Sequence, residues 1–184
     1  MILRGEFQGN FLHNLKVLTL LGCESDIFAY KVLKQVPNIE KLVVCDGSFK
    51  GIFKCQSPNN VDYSELQLQL KELHLEFLRE SVCIGLENFW IQPFVRNLET
   101  FEVISCRSLE NLVGCKVSFF NLTYLKVESC DSLSYLFTSS TAKSLSQLKK
   151  MEINRCKSIE EIVSKEKGEE ESEGNEIIFP KLDH

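Results

Sequence analysis

The chain has no close cysteine pair, no long apolar run and no phosphate-binding glycine loop. Each absence removes a class of function. Its eight cysteines include no C-x-x-C; the nearest neighbours are Cys106 and Cys115, then Cys45 and Cys55. Zinc ribbons and fingers need two close pairs. The three histidines, His13, His74 and His184, add no ligand spacing, so no metal is expected. No apolar run approaches the roughly 18 residues that a membrane span needs. The opening MILRGEFQGNFLHNL is interrupted by Glu6, Gln8 and Asn10 and lacks the apolar core of a secretory leader. Secretion is unsupported, and a reduced, cytoplasmic protein fits the cysteine usage. None of the nine glycines completes a G-x-x-x-x-G-K-[ST] loop, so no nucleotide or other cofactor is expected. A formal charge of −5 favours neither nucleic acid nor an anionic membrane surface.

What is present is a 43% apolar composition, enough for a substantial core, and a repeat. Leu122, Leu125, Val127 and Cys130 stand at offsets 0, 3, 5 and 8; Leu148, Met151, Ile153 and Cys156 take the same offsets 26 residues later. Earlier copies are Leu15, Leu18, Leu20 and Cys23; Ile39, Leu42 and Val44 with Gly47; Leu70, Leu73 and Leu75 with Leu78; and Leu98, Phe101, Val103 and Cys106. A seventh copy opens at Phe179-Pro180-Lys181-Leu182. The pattern is L-x-x-L-x-L-x-x-N/C, the leucine-rich repeat, with cysteine in the last slot. Two long spacings carry expected loops, one at the polar Pro/Asn cluster 55–60 and one at the acidic stretch 165–176. The whole chain, 1–184, reads as one domain of about six repeats and the start of a seventh.

Alternation gives the pattern its shape. Offsets 3 and 5 leave the same face of a strand, and offsets 2, 4 and 6 leave the other. One such strand cannot bury its apolar face alone, whereas stacked copies form a parallel sheet. The expected fold is therefore an α/β leucine-rich-repeat solenoid. It is curved, with a parallel sheet lining the concave side and an irregular or short helical convex side. Offsets 11 and 14 (Leu109 and Leu112, Leu133 and Leu136, Ile159 and Ile162) should point inward from the convex arm, and 141–147 reads as a helical turn with Ala142 and Leu145 on one face. Cys23, Cys106, Cys130 and Cys156 form a column where the chain leaves the strand. Their Cβ vectors should run parallel, so free, buried, structural thiols are expected.

The concave rows are the candidate protein-binding face. Offset 4 gives Thr19, Val43, His74, Glu102, Lys126 and Glu152; offset 6 includes Glu76, Glu128 and Asn154; offset 2 includes Tyr124 and Lys150. Mixed charge and chemistry of this kind suits specific recognition, and an extended concave sheet suits a macromolecule. Glu102, Lys126 and Glu152 should stand side by side, able to pair with each other. His74 should be exposed. No residue set orients a nucleophile, although Cys83 with His74 is the combination a cysteine-dependent enzyme would use; the chain reads as a non-enzyme. Asn121-Leu122-Thr123 matches a glycosylation sequon but lies inside the repeat consensus.

The wording FFNLTYLKVESCDSLSYLFTSSTAKSLSQLKKMEINRCKSIEEIV, followed after the acidic stretch by IIFPKL, resembles plant intracellular immune receptors, the coiled-coil nucleotide-binding leucine-rich-repeat (NLR) disease resistance proteins. The likeness is strongest over 95–182 and weaker over 11–94. It implies a repeat region that recognises protein: a pathogen effector, a guarded host protein, or the receptor's own nucleotide-binding domain. Nucleotide binding carries over to no residue. A substrate-recruiting repeat module of a ubiquitin ligase is the alternative, which an upstream F-box segment would decide. The chain starts near its first repeat and stops early in its seventh, so capping repeats are expected to be rudimentary and association to rise with concentration.

Overall fold

The computed structural model describes residues 10–22, 32–47, 68–78, 95–113, 117–164 and 179–182. The stretches 55–60 and 165–176, together with Cys23, Cys83 and His184, lie outside the described residues.

Six five-residue strands form one parallel sheet: β1 (Val17–Leu21), β2 (Lys41–Cys45), β3 (Glu72–Glu76), β4 (Thr100–Ile104), β5 (Tyr124–Glu128) and β7 (Lys150–Asn154), in that spatial order. Each repeat offset meets its own kind in the next strand. Leu18 pairs with Leu42, Leu42 with Leu73, Leu73 with Phe101, Phe101 with Leu125, and Leu125 with Met151. Burial alternates as the spacing requires, with offsets 3 and 5 inward in β1 to β5. The interior is a continuous column of aliphatic side chains with Phe101, Phe119 and Phe137 as its largest members. The Phe101 and Phe119 rings lie 6.1 Å apart. The chain is a leucine-rich-repeat solenoid.

Two backbone devices recur along the array. At the entrance, the N–H of offset 0 donates to the carbonyl three residues earlier, as in Leu98 to Val95 and Leu148 to Leu145. Leu182 makes the same bond to Phe179, so the seventh copy begins with the same turn. The offset 1 carbonyl then accepts two N–H groups from the next repeat; Glu99 receives both Thr123 and Tyr124. At the exit, offset 7 has positive φ in all six repeats: Gly22, Asp46, Phe77, Ser105, Ser129 and Arg155, between 51° and 61°. A left-handed residue there turns the chain off the sheet, and its N–H still reaches the next strand's last carbonyl, as Ser105 reaches Glu128.

The convex side is irregular over 107–113 and carries a short helix at Ser139–Ala142, as expected, and departs from expectation at its last two arms. There Tyr135–Thr138 (β6) and Glu161–Ser164 (β8) pair in parallel as a second, two-stranded sheet. Tyr, Phe, Ile, Val and Thr favour strand, and two adjacent arms in register supply each other's backbone partners. Leu133 and Leu136 are buried as offsets 11 and 14 require, as are Leu109 and Leu112; Ile159 and Ile162 are only partly buried. The helical turn is also displaced. It runs Ser139–Ala142 rather than 141–147, because the Thr138 side chain caps it by accepting from the Thr141 N–H. It stops there because the Ser144 hydroxyl donates to the Thr141 carbonyl at 2.6 Å and accepts the Phe119 N–H at 2.8 Å, tying the chain to the preceding repeat. Ala142 and Leu145 are both buried, as their spacing demands.

Candidate protein-binding face

The strand register places Thr19, Val43, His74, Glu102, Lys126 and Glu152 in one row across the open face of the sheet. Tyr124 and Lys150 share the row on one side; Glu76, Glu128 and Asn154 share the row on the other. All eleven candidate residues are brought together on one surface. Its β1 end is apolar, with Val17 52% and Leu21 70% exposed. From β2 onward it is charged, with five glutamates against three lysines.

The charges pair differently from expectation. Glu102, Lys126 and Glu152 are register neighbours, but the Lys126 ammonium closes on Glu128 of its own strand at 2.9 Å. Lys150 likewise takes Glu152 within its own strand at 2.5 Å. Residues two apart on a strand share a face, so a flexible lysine has carboxylates both along and across the sheet within reach. The Glu128 hydrogen bond holds the Lys126 ammonium above its ordinary range, and the Lys150 hydrogen bond holds Glu152 below the usual carboxylate range. Lys41 bridges strands instead, reaching Glu72 at 2.8 Å, and that bond lowers the Glu72 carboxyl. Lys150 also lies 5.5 Å over the Tyr124 ring. Burial, then the Glu152 carboxylate, raises the Tyr124 phenol.

His74 faces the open side but is largely covered, with 13% of its side chain exposed. The Glu72 and Glu102 carboxylates each lie 3.5 Å from one of its ring nitrogens and shield it. Its Nε2 is buried without a hydrogen-bond partner.

The cysteine column is a ladder. Cys106 donates weakly to the Leu75 and Ile104 carbonyls at 3.7 and 3.5 Å. Cys130 does the same to Val103 and Glu128, and Cys156 to Val127 and Asn154. Each thiol thus joins its own strand to the one before. Cys45, Cys106, Cys130 and Cys156 are free. Burial pushes the Cys106 thiol up to about 11 and that of Cys130 to about 12. Burial and then the Glu76 carboxylate push Cys45 up to about 11. These three thiols stay protonated, the state suited to hydrogen-bond donation and unsuited to nucleophilic attack.

A second kind of tie between turns, seen at two steps, escaped the sequence reading. The Asn38 amide donates to the His13 carbonyl at 2.8 Å, and the Asn121 amide to Arg96 at 3.1 Å. Each asparagine precedes offset 0 and ties its turn to the one before. The signal was the recurring Asn-Leu or Asn-Ile pair at 14, 38, 97 and 121. The Asn121 amide that a glycan would use is therefore a structural donor. Phe77 was also missed; no apolar spacing marks it, yet it stands 55% exposed at the rim of the face.

The strand register, the thiol bonds over three steps, the asparagine bonds at two and the left-handed exit define a leucine-rich-repeat protein. The family model of plant RPS2-like disease resistance protein leucine-rich repeats matches residues 1–118 and 115–157. The chain belongs to that family. No curated protein and no solved structure matches it. Among the described residues no helix is long and apolar enough to cross a membrane.

Proposed function

We propose that this chain is the protein-recognition region of a plant intracellular immune receptor of the nucleotide-binding, leucine-rich-repeat kind. It contacts a pathogen effector, a guarded host protein or the receptor's own nucleotide-binding domain. The observation that carries the reading is the open face. Six strands present three parallel rows of mixed charged, aromatic and aliphatic side chains, and main-chain ladders hold those rows in register. Rigid presentation lowers the ordering cost of association, and charge patterning selects the partner. The family supports membership in a resistance protein, whose repeats serve protein interaction. Recognition rather than catalysis fits the protonated thiols of Cys45, Cys106 and Cys130.

The test is to obtain the full-length transcript, express the nucleotide-binding domain it encodes, and titrate it against this chain. An upstream nucleotide-binding domain whose binding weakens when the open face is mutated supports the reading. A transcript encoding an F-box in that place would contradict it.

A further inference from the structure

Three of the five glutamates on the open face are held by lysines: Glu72 by Lys41, Glu128 by Lys126 and Glu152 by Lys150. The other two, Glu76 and Glu102, face no lysine or arginine within ion-pair distance among the described residues. Glu76 accepts a long bond from the Cys45 thiol at 3.5 Å, and Glu102 lies 3.5 Å from His74. They sit on adjacent strands two positions out of step, roughly 8 Å apart by strand spacing and rise. Among the described residues, these two carboxylates without a closed lysine partner lie on the central strands of the face.

Phe77 follows Glu76 directly, at the rim. Its φ of 53° is one that a bulky residue rarely adopts, while the same offset elsewhere holds Gly, Asp, Ser, Ser and Arg. The ring recovers little for this strain, because it is 55% exposed. An aromatic held out to solvent on a strained backbone is the kind of outlier from which a binding role is inferred. Beside it runs a groove of about 540 Å³, lined by Asp46, Phe77, Leu78, Ser105, Arg107 and Ser108, with Leu78 buried at its floor.

We infer that Glu76, Glu102 and Phe77 form a docking point for a protein segment that presents an arginine or lysine next to an apolar side chain. The basic group sits between Glu76 and Glu102. The apolar side chain packs against the exposed Phe77 ring along the groove, whose rim carries one charge of each sign, Asp46 and Arg107. Lysine or arginine opposite two carboxylates that no lysine closes on among the described residues is the complementary arrangement, and like charge there would be rejected. This inference rests on the open face being the recognition surface.

The test is selection of a random dodecapeptide phage library on the immobilised 184-residue chain, followed by binding of the enriched peptides to variants. Enriched peptides should carry Arg or Lys beside an aliphatic or aromatic residue. Phe77→Asn and the double variant Glu76→Gln, Glu102→Gln should each weaken them at least tenfold, whereas Glu160→Lys on the exposed convex arm should leave them unchanged. Asn suits a left-handed backbone, so Phe77→Asn should keep or raise Tm; a fall in Tm would make Phe77 structural and overturn its role. Failure to enrich basic–apolar peptides would also overturn the inference. So would peptides lost in Lys126→Glu but not in these variants, though the open-face reading would then stand. Peptides indifferent to every variant of the face would sink both.

Discussion

Leu122, Leu125, Val127 and Cys130 are sealed from solvent at 0% exposure. One repeat later, Leu148, Met151, Ile153 and Cys156 occupy the same offsets, but only Leu148 is sealed; the other three are partly exposed. The strand patterns show the same contrast, alternating cleanly in Tyr124–Glu128 and blurred in Lys150–Asn154. The two copies carry the same pattern and make the same thiol bonds to the strand before. What differs is the neighbour: β5 lies between β4 and β7, while β7 has a strand partner on one side only among the described residues. A leucine in this fold is buried by the repeats on either side of it, which is what makes a solenoid nearly one-dimensional.

The sharpest way to break this comparison is to place a charge in both copies. Cys130→Lys buries an ammonium without a partner and should cost several kcal/mol, enough to disrupt the array. Cys156→Lys has a route to solvent and should cost about 1 kcal/mol or less. Cys130→Ala, a small truncation, should cost about 1 to 2 kcal/mol. Equal urea midpoints for the two lysine variants would show that the copies are equivalent. Truncation should follow the same order. Leu125→Ala should destabilise by about 3 kcal/mol, in the range for a leucine in a sealed core, and Met151→Ala by about 1 kcal/mol, both read by urea denaturation.

Those contrasts were partly legible in the sequence. The inward set at offsets 3 and 5 and the cysteine column could be read because strand geometry forces period two and the stacking repeats it. The left-handed exit could not, because Gly22, Asp46, Phe77, Ser105, Ser129 and Arg155 share no chemistry. Neighbouring strands impose that conformation through the N–H bond each of these residues makes, or would make, to the next carbonyl. The second sheet was hidden for a similar reason: Tyr135–Thr138 becomes a strand only when Glu161–Ser164 lies beside it. Lys126 could be placed in its row, but spacing alone did not choose between Glu102, Glu152 and Glu128.

The exit conformation offers a smaller effect. Ser129 has φ of 56°, so Ser129→Val should cost about 1 to 2 kcal/mol, since a β-branched residue resists the left-handed region. Ser129→Gly should be close to neutral. If valine is tolerated as well as glycine in thermal melts, the turn is not under the constraint described.

The thiols give a pH test of the same core. Burial raises the Cys130 thiol from the ordinary value of 9.0 to about 12. The folded state therefore holds its proton more tightly than the unfolded chain. The stability this confers is complete below pH 9 and is lost progressively as pH rises from 9 toward 12. Cys130→Ala should flatten that decline. At pH 8, site-resolved alkylation should leave Cys130 unmodified in the folded chain while Cys156, which is partly exposed, reacts.

The central claim is that the open face of the sheet recognises the partner and the convex arm does not. Lys126 and Glu160 test it with single charge reversals on opposite sides of the molecule. Lys126→Glu loses the bond to Glu128 and sets like charges along the row. Glu160→Lys alters an exposed convex side chain whose backbone N–H, bonded to the Ser134 carbonyl, is untouched. Both variants should fold with Tm close to that of the parent. On the function proposed above, the measurement is the activity of the full-length resistance protein, with and without the partner that function requires, at matched expression. Lys126→Glu should abolish the response or release activity without a trigger, and Glu160→Lys should leave both unchanged. If the convex reversal matters as much as the one on the sheet, the open face is not the recognition surface.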